Sequence, residues 1–380
     1  MILDTDQQAF VDAVADYCRQ RAGTREQRDA LTLCDTQANN REILDELGGL
    51  GWLGVSLPEA YGGGGMGMVE ECLFLEHTIH GQIPVTGYST SLTAGQSYLR
   101  WATEEQKHET LGGICRGRLE AISLSEPGAG SDLAGARCRA SRDGDDWVID
   151  GQKTWCSIAH VSDHVLVLTR TGGERHHGLT LLQVPTDHPG LEVRAIETME
   201  ARTVNDLFFT DCRVPGAALV GREGEAWSQL MPGLAVERLI IAAMSVGAAQ
   251  RALDDLISYV SERQQFNRTI GSFQAVRHRI ADLATEVECA RALTYDVAQH
   301  VDQHDHLKLP RAVNRQASMA KLKATEVSKH AALEGMQLMG GYGYAKEYDM
   351  ERHVRIALAP PIYGGANEVQ REIIGKSLGL

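Results

Sequence analysis

The hydrophobic period of this chain changes twice along its length, and that change limits the fold more than any single motif. From about residue 5 to 118 apolar residues recur at helical spacing. Phe10, Val14, Tyr17 and Cys18 follow the i, i+4, i+7, i+8 rule, and glycine-rich breaks such as YGGGGMG (61–67) interrupt the helices. From about 119 to 222 the runs AISLSE, DWVIDGQKTW, HVLVLTR, LTLLQVP and DLFFTDCRVP stand between Gly, Pro and Asp. Short β-branched or apolar runs punctuated in this way read as strands joined by turns. From about 223 the helical period returns. Ile280, Leu283, Val287 and Ala290 make one stripe, and LIIAAMSVGAAQRALDDLISYV is apolar over much of its circumference, as in a helix buried among other helices. The expected architecture is α+β and multidomain: an N-terminal helical domain (1–118), a middle antiparallel β domain of barrel or sandwich type (119–222) and a C-terminal four-helix bundle (223–380).

Composition narrows the function classes. At 380 residues the chain exceeds one compact core. Its formal net charge of −14 argues against nucleic acid or an anionic membrane as the main partner. No apolar run is expected to reach the roughly 18–20 residues that cross a bilayer, so membrane insertion is not expected. Met1-Ile2-Leu3-Asp4 lacks the basic and apolar regions of a signal peptide. The eight cysteines include no CxxC pair, so neither a disulfide scaffold nor a metal site is expected, and reduced thiols in the cytoplasm are the default.

Neither a P-loop nor a strand-to-helix GxGxxG is present, and GGYGYA (340–345) follows a helical pattern, so it reads as a helix-end turn. Three stretches carry chemistry instead. In ISLSEPGAGSDLAG (122–135) a glycine-rich turn after a strand lets a flat ring or a phosphate approach backbone amides; a plain surface turn fits that stretch about as well. In GQKTWCS (151–157) strand alternation puts Trp155 and Ser157 on one face, an indole beside a hydroxyl, although Trp155 could equally be core. In ERQQFNRTIGSFQAVRHRIADL (262–283) Arg263 and Phe266 lie three apart at a helix end, and Gln274 opens the next helix.

Taken in order, EPGAGSD, GxKxWxS, RxxF with FQ eight residues on, MQLMGGYGY and IYGG resemble the acyl-CoA dehydrogenase family over essentially the whole chain. The resemblance implies the same helix–sheet–bundle fold, FAD as cofactor, an acyl-CoA or acyl-carrier thioester as substrate, an electron-transfer flavoprotein as acceptor, and a homotetramer, with a heterotetramer as the alternative. It puts Leu124 and Ser125 at the flavin's pyrimidine edge, Trp155 over the ring and Ser157 near N5. Arg263, Phe266, Gln337, Gly340 and Gly341 would hold the pyrophosphate and adenine ends from a neighbouring subunit, Gln274 would also bind the cofactor, and Glu368 would meet a cofactor hydroxyl or phosphate. Ser131, Arg238, Tyr363 and Gly365 would face the substrate. Gln265 and Ala366 depart from the hydroxyl residue and the threonine frequent in relatives.

The reaction implied is α,β-dehydrogenation. A base takes the α-proton while the β-hydride moves to flavin. Many relatives carry that base as a glutamate where this chain has Gly364, and glycine removes no proton. Glu237 lies in the apolar helix with Leu234, Ile240 and Ile241 at i−3, i+3 and i+4. Burial raises a carboxyl pKa towards the value a proton abstractor needs. A subgroup of isovaleryl- and long-chain-type enzymes resembles this arrangement, with glutamate in the ERL sequence and none in the C-terminal loop. Glu237 is therefore the expected base, and Gly364 would contribute its backbone N–H to the thioester oxygen. The small run Gly364-Gly365-Ala366 suggests room for a branched or bulky acyl chain. A flavin-dependent monooxygenase on the same fold and one subunit of a heteromeric enzyme are the alternatives.

Overall fold

The computed structural model describes residues 2–304 and 309–380. Six helices come first: α1 (Thr5–Ala22), α2 (Arg25–Thr32), α3 (Arg41–Gly49), α4 (Met68–His80), α5 (Thr86–Trp101) and α6 (Glu104–Cys115). Eight strands follow: β1 (Glu120–Ser123), β2 (Arg139–Asp143), β3 (Asp146–Ser157), β4 (His164–Arg170), β5 (Leu179–Pro185), β6 (Leu191–Ala195), β7 (Val204–Val214) and β8 (Leu219–Val220). The chain then runs through α7 (Ala226–Leu230), α8 (Gly233–Glu262), a short hairpin of β9 (Gln264–Gln265) and β10 (Arg268–Thr269), α9 (Gln274–Asp302), α10 (Arg311–Met339), α11 (Gly341–Tyr344), α12 (Met350–Leu358) and α13 (Asn367–Ser377).

These elements form two compact units. The first combines Met1–Arg28, Met68–Ile83 and Glu237–Leu380; the second combines Asp29–Gly67 and Pro84–Val236. Within the first, α1 starts on an Asp4–Gln7 capping box, which satisfies two otherwise orphaned amides. It buries Val11, Val14, Cys18 and Ala22, sharing Val14 and Cys18 with the expected stripe, whose Phe10 and Tyr17 are half-buried, and Phe10 stacks on Phe74 of α4 at 6.5 Å. A buried carboxylate ties α4 to α9: Glu76 accepts from Arg291 and from the Tyr295 hydroxyl, each at 2.8 Å. Leu283, Val287 and Ala290 are buried on α9.

The second unit is built on one sheet in the order β6-β7-β3-β2-β4-β5-β8, with β1 added beside β4. Pairing is antiparallel except for β1 with β4 and a single parallel β2–β4 pair. Trp147, Ile149, Val165, Leu168 and Leu181 are fully buried. The Tyr98 hydroxyl of α5 donates to Glu120 of β1 at 2.6 Å.

One expectation needs correcting. An 18-residue window within Ala226–Glu262 is long and apolar enough to cross a membrane by length and composition. Glu237 and Arg238 interrupt the apolar run without taking the window past two charged residues. Of that window 67% is buried inside the protein, as in the core helix of a helical assembly.

Candidate active site

In the second unit the loop after β1 is fastened from beneath. Lys153, fully buried, donates to the Leu124 carbonyl at 2.9 Å and to the Glu126 carboxylate at 2.8 Å. Glu126 also accepts from the amides of Arg137 and Cys138 at 2.7 and 2.8 Å. Burial opposes its ionisation, but the Lys153 ammonium and those amides outweigh it and hold the carboxyl below its usual range. The Thr154 amide donates to the Ser125 carbonyl at 3.0 Å. Leu124 and Ser125 are thus set by backbone, with Ser125 half-buried.

Strand β3 carries an irregularity between Lys153 and Cys156, where one extra residue stands against β7. Trp155 sits in this bulge at φ +60° and is 60% exposed. Positive φ is rare for a bulky residue, and bulges re-aim side chains. Here the bulge turns outward an indole that strict alternation from the buried Lys153 would send inward. Cys156 is buried between Trp155 and Ser157, so these two share the outer face. Among the described residues the hydroxyls of Ser125 and Ser157 make no hydrogen bond. Gly128 and Gly130 have open space where a Cβ would stand, and Ser131 beside them is exposed.

The first unit holds the acid and the C-terminal turn. Glu237 is half-buried on α8, and no hydrogen bond or ion pair engages its carboxylate among the described residues. Desolvation pushes this carboxyl above its ordinary value, with Arg238 and Lys321 pulling the other way. Arg238 has its Nε buried without a partner, and desolvation pushes its guanidinium down. Gly364 faces Glu237 closely: a Cβ on Gly364 would lie 3.9 Å from the Glu237 carboxyl carbon and 2.2 Å from Ile241 Cδ1. Gly364 and Gly365 take φ +61° and +78°, a left-handed pair that only glycine adopts cheaply. The Gly364 N–H makes no hydrogen bond among the described residues. Its carbonyl and that of Gly365 accept from Gln370 at 3.3 and 2.9 Å, and Lys321 donates to Gly365 at 3.0 Å. Tyr363 is exposed. Glu368 is exposed in the first turn of α13 and lies 3.4 Å from Arg371.

The remaining expected cofactor residues form a separate exposed group in the first unit. Helix α8 ends at Glu262, so Arg263 stands beyond the helix and Phe266 at the tip of the β9–β10 hairpin; the expected helix-end spacing does not hold. Phe266 and Asn267 take φ +52° and +63°, the two-residue hairpin geometry that favours glycine or asparagine. Phe266 is 87% exposed, so backbone strain is spent on displaying an aromatic ring. The Arg263 guanidinium lies 5.2 Å from the Tyr342 ring centre. Gln274, Gln337, Gly340 and Gly341 are exposed at the adjoining ends of α9, α10 and α11. No hydrogen bond, ion pair or ring contact joins this group to Glu237 or Gly364 among the described residues.

Lys153, Lys321 and Gln370 were not singled out from the sequence. Lys321 had a signal: Ala317, Ala324 and Ser328 put it on a small-residue face of α10, where a lysine is out of place. For Lys153 the bulge hides the strand parity that would have marked it as inward. FAD suits these residues. An isoalloxazine takes an outward indole as one wall and unengaged hydroxyls and open amides at its edges, and a dinucleotide tail takes an exposed guanidinium and aromatic ring.

The family models described as acyl-CoA dehydrogenase N-terminal, middle and C-terminal domains match residues 4–118, 121–212 and 224–379. A probable acyl-CoA dehydrogenase, YngJ of Bacillus subtilis strain 168, is 36% identical over 346 residues, 89% of each chain. The crystal structure of an acyl-CoA dehydrogenase from Geobacillus kaustophilus superposes with a TM-score of 0.91 at 30% identity, covering 100% of this chain and 99% of that one. A glutaryl-CoA dehydrogenase of Mycobacterium smegmatis in complex with FADH2 gives a TM-score of 0.87 at 27% identity, covering 99% and 95%. Three consecutive domain matches that together span nearly the whole chain, and a relative 36% identical over 89% of each chain, lead to one conclusion: the chain belongs to the acyl-CoA dehydrogenase family.

Proposed function

We propose that this FAD-dependent oxidoreductase dehydrogenates an acyl-CoA thioester across its α,β bond with Glu237 as the base. The observation that carries this reading is the Glu237 carboxyl, pushed up by desolvation, without a hydrogen-bond partner among the described residues and beside the Gly364 turn. An acid in that state removes a proton more readily than one held in a salt bridge, because no direct ion pair among the described residues stabilises its charge. The Gly364 N–H, which makes no hydrogen bond among the described residues, donates to the thioester oxygen and steadies the charge that grows there as the α-proton leaves; such a donor is worth roughly 3–4 kcal/mol. FAD, when bound, supplies the acceptor for the β-hydride. Trp155, Leu124, Ser125 and Ser157 hold its ring, and Arg263, Phe266, Gln274, Gln337, Gly340, Gly341 and Glu368 hold its tail. Ser131, Arg238, Tyr363 and Gly365 orient the thioester.

The same reading takes the acyl chain as branched or bulky from the small size of Gly364, Gly365 and Ala366, although Ile241 and Gln370 occupy the space where side chains on the two glycines would stand. It takes an electron-transfer flavoprotein as acceptor, a homotetramer as the assembly, the cytoplasm as the compartment and 1–118, 119–222 and 223–380 as the domains. Glu237→Gln tests the central claim. The variant should keep its flavin and lose turnover by about 10³-fold or more. Near-normal turnover overturns the assignment of the base. Bleaching of bound FAD by an acyl-CoA under anaerobic conditions, without a nicotinamide donor, is the expected outcome for a dehydrogenase and the wrong one for a monooxygenase.

A further inference from the structure

A left-handed glycine pair belongs to no ladder, so something else must fix it if the Gly364 N–H is to keep one direction. Both inward carbonyls of the pair are taken. Gln370, fully buried, reaches both with one amide nitrogen, at 3.3 and 2.9 Å, and its own Oε1 stays unpartnered among the described residues. The reverse amide orientation would set that oxygen against two carbonyl oxygens, so the amide has one usable direction. A Cβ on Gly365 would lie 2.5 Å from Gln370 Nε2, which shows how closely the amide sits against the turn.

Lys321 completes the clamp. It is fully buried and donates to the Gly365 carbonyl and to Asn367 Oδ1, each at 3.0 Å. Asn367 is itself held by Thr325 at 3.1 Å and Glu326 at 3.0 Å. No carboxylate pairs directly with Lys321 among the described residues, whereas Lys323 two residues on makes an ordinary ion pair with Glu286. A cation buried against carbonyls is costly, and its position suits a role in the turn.

We propose that Lys321 and Gln370 are positioning residues that pin the Gly364–Gly365 turn by its carbonyls, so that the Gly364 N–H stays free for the thioester oxygen. This rests on the dehydrogenase reading above. The ammonium has a second effect on the same site. Burial pulls Lys321 down to about 8, with Glu237, Glu368 and Glu326 raising it and Arg238 lowering it further. The charged groups acting on Glu237 are Arg238 and Lys321, so removing Lys321 leaves Arg238 alone against desolvation.

The test uses the FAD-loaded enzyme and two variants, Lys321→Met and Gln370→Leu, assayed with an acyl-CoA and a dye acceptor. Both should keep flavin content and lose kcat by about tenfold or more, with KM changed far less, since a misplaced donor is felt in the transition state. Only Lys321→Met should also move the acidic limb of the kcat–pH profile upwards, because Gln370 carries no charge. If Lys321→Met fails to fold, the KM-against-kcat split in Gln370→Leu decides. Wild-type kcat and pH profile in both variants overturns the proposal, as does loss of flavin or Tm with kcat per bound flavin unchanged. An active Glu237→Gln would instead defeat the dehydrogenase base. An inactive Glu237→Gln beside normal clamp variants defeats this inference alone.

Discussion

As the proposed base, Glu237 would combine catalytic use with a stability cost, and the two would rise together with pH. Its carboxyl is raised by desolvation in the folded chain, so the folded state binds a proton that the unfolded chain releases at lower pH. The stability this proton confers is full below the ordinary carboxylate range and is lost as pH rises through the raised value. Activity runs the other way: kcat should fall as pH drops through that same value, because the protonated acid accepts nothing. Glu237→Gln should therefore raise Tm at neutral pH while removing turnover, and a thermal scan of the two proteins checks it. Gly364 offers a second test. Gly364→Ala puts a methyl at φ +61°, 2.2 Å from Ile241 Cδ1, and should cost about 1–3 kcal/mol. Ile241→Val removes that δ-carbon. The double variant should therefore lose less than the sum of the singles, a coupling that a double-mutant cycle measures.

At the scale of elements, each unit carries one irregularity that displays an aromatic ring. The β3 bulge turns Trp155 outward, and the β9–β10 hairpin displays Phe266 at a backbone angle that disfavours it. Beneath the first lies the Lys153–Glu126 pair, in which neither partner is exposed by more than a tenth. Removing one member of such a pair leaves an uncompensated buried charge, at about 3–5 kcal/mol. Lys153→Met should lower Tm and, because Lys153 also holds the Leu124 carbonyl, lower the flavin retained per chain. Flavin absorbance against protein concentration reads the second effect. Normal flavin content would show that the loop keeps its shape without the lysine.

For the molecule as a whole, no hydrogen bond, ion pair or ring contact joins the exposed group at Arg263, Phe266 and Gln337 to Glu237 among the described residues. The proposed assembly accounts for this, with the dinucleotide tail held by a neighbouring copy. Native mass should then be about four times the 41.5 kDa chain, with one FAD per chain, and Phe266→Ala should weaken flavin retention without changing turnover per bound flavin. A single-chain native mass with full flavin would remove the neighbouring subunit from the argument.

The order of elements was legible because hydrophobic period is a local property: alternation in 119–222 and the 3.6-residue period on either side need only neighbours in the chain. The exposed glycine-rich loop, the indole and the C-terminal glycines were legible as residue types at fixed spacings. That Glu237 sat on an apolar stretch of helix could also be read. That its carboxylate has no hydrogen bond or ion pair among the described residues could not, since this depends on what α10 and the C-terminal turn bring to α8. The same holds for Lys321 and Gln370, whose use lies in carbonyls remote in sequence, and for Lys153, whose inward aim follows from a bulge set by pairing with β7. Sequence fixes which groups are present and which faces they share; only packing decides which charges are left unanswered, because desolvation and partnership are properties of the space around a group.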